Sequence, residues 1–143
     1  MEKEFEFLEH TADLEFASYG ETLSECFENA ALAFFTATLK LDLVETKEKR
    51  KIELVSDNLE ILMHDWLNEL LFLFEVEFLV FREFKVDVEQ INDTEYRLTA
   101  EISGEQLDLK KHKIETEIKA VTYHNLSVEK KHGLWKANVL CDI

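Results

Sequence analysis

An α+β fold, with two helices packed on a mainly antiparallel sheet, is what this chain predicts, and three observations carry the prediction. Apolar residues recur with helical period in two stretches, one from about residue 23 to 40 and one from about 57 to 74. In most other segments they alternate with polar residues at period two. The alternating segments of the second half follow one another through short turn signals, which favours hairpins over crossovers. The 143 residues, 46% of them hydrophobic and eleven of them Phe, suffice for one domain, residues 1–143, with a real core.

Phe5 to Leu8 alternates as a strand, and Leu14 to Tyr19 alternates again before Gly20. Thr22-Leu23-Ser24-Glu25 is a capping box, in which hydroxyl and carboxylate satisfy orphan amides at a helix start. That helix is expected to reach about Lys40, with Leu23, Phe27, Ala30, Ala31, Phe34 and Phe35 on one face. Lys49 to Val55 reads as a strand. A second helix is expected from near Asp57, with Leu59, Leu62, Met63, Trp66, Leu67, Leu70, Leu71 and Phe74 at helical spacing.

From Phe78 the period falls to two: Phe84, Val86 and Val88 face one way, with Lys85, Asp87 and Glu89 opposite. Asn92-Asp93 supplies a turn, and Tyr96 to Ser103 returns. Strands are then expected over Glu115–Tyr123, Leu126–Lys130 and Leu134–Asp142, the last two joined by a turn at His132-Gly133. The total is roughly seven strands and two helices. There is no proline, and the three glycines are scattered, so no linker, repeat or low-complexity segment stands out.

Sixteen basic against thirty-one acidic residues give a formal charge of −15. Such a chain repels phosphate backbones, so direct, tight nucleic-acid binding is not expected. The one basic run is Lys110-Lys111-His112-Lys113, in a loop-like stretch. The acidity suits encounter with a basic partner, and it equally suits simple solubility. Cys26 and Cys141 read as small buried hydrophobes rather than a disulfide framework. Glu2, Lys3, Glu4 and Glu6 interrupt any apolar leader, and no run approaches a membrane span, so no membrane association and a cytoplasmic location are expected.

The chemistry concentrates at the two ends. His10-Thr11-Ala12-Asp13 stands near the start, and the chain stops on Leu140-Cys141-Asp142-Ile143. A last strand that ends on an Asp and a carboxylate suggests that this end has work to do. If Asp13 lies beside Asp142, their carboxylates and the main-chain oxygens of Ile143 converge, and like charges so placed call for a cation. Oxygen donors suit a hard divalent ion, calcium or magnesium, rather than zinc. The plainer alternative, that Asp13 caps a turn and Asp142 merely ends a strand, stays open on spacing alone.

His10 and His124 are placed at a strand edge or polar turn, His112 and His132 in loops, and His64 beside the apolar stripe of the second helix next to Asp65. A His10–Asp13 proton relay is conceivable, but no Ser or Cys sits in a nucleophile elbow and no Gly-rich phosphate loop exists. No catalytic constellation emerges. Glu117 to Asn125 reads as an ordinary mixed strand, from which Lys119 could balance the carboxylates or meet a partner's phosphate.

Taken together, the chain resembles the archease family over essentially its whole length. The matching pieces are His10-Thr11-Ala12-Asp13, Leu23 to Ala33, Asp65 to Glu75, Glu117 to His124, and the terminal Asp142-Ile143. Each piece is short, but five in order across one chain make a specific pattern. The resemblance implies a non-enzymatic protein that activates an RtcB-type RNA ligase in tRNA splicing and RNA repair, promoting guanylylation of the ligase and multiple turnover and broadening its nucleotide use. It also implies a bound divalent cation, calcium in the family, held by Asp13, Asp142 and Ile143, with His10, Lys119 and His124 as candidate neighbours or partner contacts. Two other classes compete: a chaperone-like or scaffolding module stabilised by a structural metal, and a small hydrolase using a metal-bound water at Asp13 and His10.

Overall fold

The computed structural model describes residues 3–8 and 13–143. In chain order its elements are β1 (Phe5–Leu8), β2 (Asp13–Gly20), α1 (Leu23–Thr38), a 3-10 turn (Leu41–Leu43), β3 (Glu48–Ser56), α2 (Leu59–Glu77), β4 (Leu79–Gln90), β5 (Tyr96–Gln106), β6 (Ala120–Val121), β7 (Ser127–Lys131) and β8 (Leu134–Asp142). Every strand pairing among the described residues is antiparallel. One sheet runs β1-β2-β8-β6, with β7 also on β8; the other runs β3-β5-β4. The expected α+β class is what the molecule adopts.

Local chemistry explains the helix starts. Thr22 Oγ1 accepts the amide of Glu25 at 3.1 Å, and Glu25 Oε1 accepts the amide of Glu21 at 3.0 Å. At α2 the cap is Asn58, whose Oδ1 accepts the Ile61 amide at 2.8 Å, so the helix starts at Leu59 rather than near Asp57. The helix α1 ends at Thr38, short of Lys40, because the C-cap Leu39 turns fully extended. The far end of α2 closes on Phe78 in the left-handed region (φ 56°), a conformation unusual for an aromatic residue.

One continuous core joins both helices to both sheets, with Trp66, Phe16, Phe27, Phe34, Phe35 and Phe81 fully buried. Trp66 satisfies its indole N–H on the Phe27 carbonyl at 3.0 Å, tying α2 to α1. Ser18 Oγ donates to the Cys26 carbonyl at 3.1 Å, tying α1 to β2. Burial pushes the thiols of Cys26 and Cys141 up, to about 11 and about 12, so both are the inert hydrophobes their positions suggest. Gly104 permits the close approach of β4 to β5 beside the bulge at Phe81–Glu83; a Cβ there would collide with the Val80 carbonyl. His132 and Gly133 both take positive φ (52° and 80°), the backbone of a tight hairpin turn, as their sequence suggests.

The strand expected over Glu115–Tyr123 shrinks to Ala120–Val121. Its backbone amides are satisfied on two elements: Glu115 by the Thr38 carbonyl of α1, and Lys119 and Thr122 by the Asp142 and Leu140 carbonyls of β8. Eight strands therefore stand among the described residues, against roughly seven expected. No helix among them is long and apolar enough to cross a membrane.

Candidate functional site

The two ends of the chain meet as neighbouring strands. The β2–β8 ladder begins with Asp13 directly opposite Asp142, and runs through Leu14↔Cys141 and Phe16↔Val139 to Gly20↔Trp135. Side chains opposite one another in a ladder project to the same face with Cβ atoms about 4.5–5.5 Å apart. Leu14, Phe16 and Ser18 share the face that packs toward the core through Phe16 and Cys141, so the alternation directs Asp13 and Asp142 to the other face. Glu15, on the same face as Asp13, is nearly buried and accepts Asn138 Nδ2 at 2.7 Å.

On its other side Asp142 pairs with Ala120 in β6, and its carbonyl accepts the Lys119 amide at 2.8 Å. Lys119 is therefore fastened to the site by its backbone while its side chain is exposed, and no ion pair between it and Asp13 or Asp142 is found among the described residues. Thr122 fastens the same segment a second time, amide and hydroxyl both donating to the Leu140 carbonyl, at 3.0 and 2.9 Å. His124 is exposed; its amide leans on Thr122 Oγ1 at 3.3 Å. His10 lies outside the described residues.

The helix α2 supports this segment from beneath. His64 Nε2 donates to the Val121 carbonyl at 3.0 Å, and its ring stacks on Tyr123 with centroids 4.1 Å apart. Glu60 Oε2 accepts the Val128 amide at 3.0 Å. The spacing of His64 beside the apolar stripe is legible in the sequence; its partner, on a segment with little regular structure, is not.

A cation fits this donor set. Two carboxylates face one another across a ladder, with no ion pair to a basic side chain among the described residues, an arrangement that is destabilising unless a positive charge intervenes. The exposed Ile143 is next along the chain, and a main-chain oxygen there would be the third donor. Among the described residues no group of three His, Cys, Asp or Glu side chains gathers, so main-chain oxygen and water would have to complete a shell.

The basic run at residues 110–113 does not form a phosphate-binding face. His112 is 1% exposed; its Nδ1 accepts the Asp108 amide at 3.0 Å, which leaves Nε2–H to donate to Glu105 at 2.9 Å. Lys111 is held by Glu105 at 2.8 Å and Glu45 at 3.2 Å. Only Lys110 and Lys113 remain exposed. Sequence reasoning missed this buried cluster, whose members lie on a strand, a loop and the residues after the 3-10 turn.

The class these observations define is a small α+β domain of two helices on antiparallel sheets, with its two ends joined in one ladder. Residues 5–143 match the family model described as the Archease protein family (MTH1598/TM1083). The chain is 50% identical to protein archease of Methanosarcina barkeri over 141 residues, covering 99% of this chain and 97% of that one. It is 42% identical to protein archease of Pyrococcus abyssi over 142 residues, with 99% of each covered. The solution structure of Methanobacterium thermoautotrophicum protein 1598 superposes with a TM-score of 0.88 at 41% identity, covering 98% and 99% of the two chains. A crystal structure of an archease from Thermotoga maritima, described as a possible chaperone, shares the fold (TM-score 0.59, 22% identity, 95% and 94% covered). The chain belongs to the archease family.

Proposed function

We propose that this protein is a non-enzymatic activator of an RtcB-type RNA ligase in tRNA splicing and RNA repair, promoting guanylylation of the ligase and multiple turnover. The reading rests on family membership, and the observation that carries it to particular residues is the Asp13↔Asp142 register. Asp13, Asp142 and a main-chain oxygen of Ile143 would hold a divalent cation, calcium by the family resemblance and magnesium as the alternative. Such an ion, when bound, supplies positive charge that neutralises the paired carboxylates and can share oxygens with a triphosphate.

The protein's own residues do the positioning. The β2–β8 ladder holds the two carboxylates in register, and the Lys119 and Thr122 amides fix the adjoining segment to β8. Lys119 stands exposed next to Ala120, the partner of Asp142, and His124 stands exposed farther along the same segment, each available to a partner's phosphate or backbone. The −15 charge favours approach to a basic, RNA-binding face of the ligase. His10, two residues after β1 and three before β2 begins, is a further candidate contact by sequence position.

The test is RNA ligation by a cognate RtcB-type ligase with GTP and divalent metal, with and without this protein. Many turnovers per ligase only in its presence support the activator reading. Equal stalling in both reactions would reject it and favour a scaffolding or chaperone-like module in which a metal joins the chain ends. Turnover of an ester or phosphate by this protein alone would favour the hydrolase instead.

A further inference from the structure

The two edges of the β3-β5-β4 sheet are finished differently. Along β4 the outward amides of Val86 and Val88 are taken up by α1, through Glu28 Oε2 and Ser24 Oγ, each at 2.8 Å. Along β3 no backbone or side-chain hydrogen bond among the described residues occupies the edge away from β5. A nine-residue strand with one open edge is a ready template for another strand.

The near half of that edge is blunted by charge that is already engaged. Lys49 reaches Glu101 at 3.5 Å, and Arg50 reaches Glu77 of α2 at 2.9 Å, closing the space between strand and helix there. Farther along, strand and helix part. Leu54, Asp65, Asn68, Glu69 and Phe72 line a groove of about 330 Å³ between β3 and the outward side of α2. Its apolar surroundings are open: Phe72 is 48% exposed and Val76, one helical turn on, is 56% exposed. Its charged groups, Asp65 and Glu69 on the helix, are both acidic.

We propose that this groove receives an extended segment of a partner protein, which adds to β3 as the fourth strand of the sheet. The complement is defined by the walls: an apolar side chain over Leu54 and Phe72, flanked two residues to either side, on the same strand face, by basic side chains facing Asp65 and Glu69. The main-chain bonds supply affinity, and the acidic helix face selects for a basic strand. The proposal does not depend on the ligase reading.

Amide NMR spectra of the full chain test this with two synthetic probes. One is a short peptide in which lysine and valine take turns at every second position with threonine between, so that both share one face of the strand; the other has the same sequence with every backbone amide N-methylated, so that it cannot donate to a ladder. The expected result is a set of shifts confined to Ile52–Ser56 and Asp65–Phe72 with the first peptide and absent with the second. Glu69→Lys, a surface change that leaves the core untouched, should abolish those shifts. Equal shifts with both peptides, shifts centred elsewhere, or shifts unaffected by Glu69→Lys would overturn the proposal. So would β3 shifts on raising the protein concentration without peptide, which would assign the edge to a second copy of the chain.

Discussion

Two acidic clusters in this molecule, Glu105 with its neighbours and Asp13 with Asp142, solve the same electrostatic problem in opposite ways. Glu105 is 6% exposed, and burial alone would raise its pKa. The Lys111 ammonium, the Glu45 amide and the His112 ring N–H overcome that effect and hold it at about 2. Every charge needed there is built into the chain. At the joined ends two carboxylates face each other across a ladder without any such cation among the described residues. A cluster satisfied internally stabilises a fold; one left unneutralised in a well-ordered ladder is suited to receive charge from outside. On this contrast Glu105 is a structural residue, and the proposed cation-binding role falls to Asp13.

Substitutions should separate the two roles, and the largest effect is expected at Asp13. Asp13→Ala should abolish stimulation of multiple-turnover ligation while circular dichroism and melting show a folded protein. Stimulation equal to that of the unaltered chain would break the assignment. Glu105→Ala should do the reverse. Removing one member of a buried, bonded cluster costs about 3 kcal/mol, read as a lower urea midpoint, with stimulation per folded molecule unchanged.

Acid should act on the Glu105 cluster in a defined window. The folded pKa of about 2 lies below the ordinary 4.5. The unfolded chain therefore binds the proton more readily, and the stabilisation is complete above pH 4.5 and lost as pH falls through 4.5 toward 2. Its size is on the order of 3 kcal/mol. Urea melts across that range should lose stability in the unaltered protein and lose less in Glu105→Gln; parallel curves would contradict the assignment. The smallest expected effect is at the carboxylate pair without metal. There Asp142→Asn removes a like-charge contact and should stabilise by a few tenths to about 1 kcal/mol.

How much of this was legible in the sequence depends on how far apart the contributing residues lie. The capping box at Thr22, the alternation of Phe84, Val86 and Val88, and the turn at His132-Gly133 are local signals, and the structure follows each. The cap at Asn58 rather than Asp57 shows the limit of local reading, since adjacent residues offer the same chemistry. The segment Glu115–Tyr123 has a strand-like composition but is bonded a group or two at a time to α1, α2 and β8, which no periodicity reveals. His112 looks like an ordinary loop histidine until the loop folds back on Glu105. The meeting of Asp13 with Asp142 was readable for another reason: an alternating segment at each end, each bounded by an Asp, suggests that both belong to one sheet.

The central claim, that the end-to-end carboxylates await an external cation, is tested most directly by melting the unaltered protein and Asp13→Asn, each in chelator and in calcium. The account predicts a crossing: the variant is the more stable of the two in chelator, and the unaltered protein is the more stable in calcium, by about 1–3 kcal/mol when the ion is well above its Kd. The same order in both solutions, with calcium moving neither melting temperature, would contradict it.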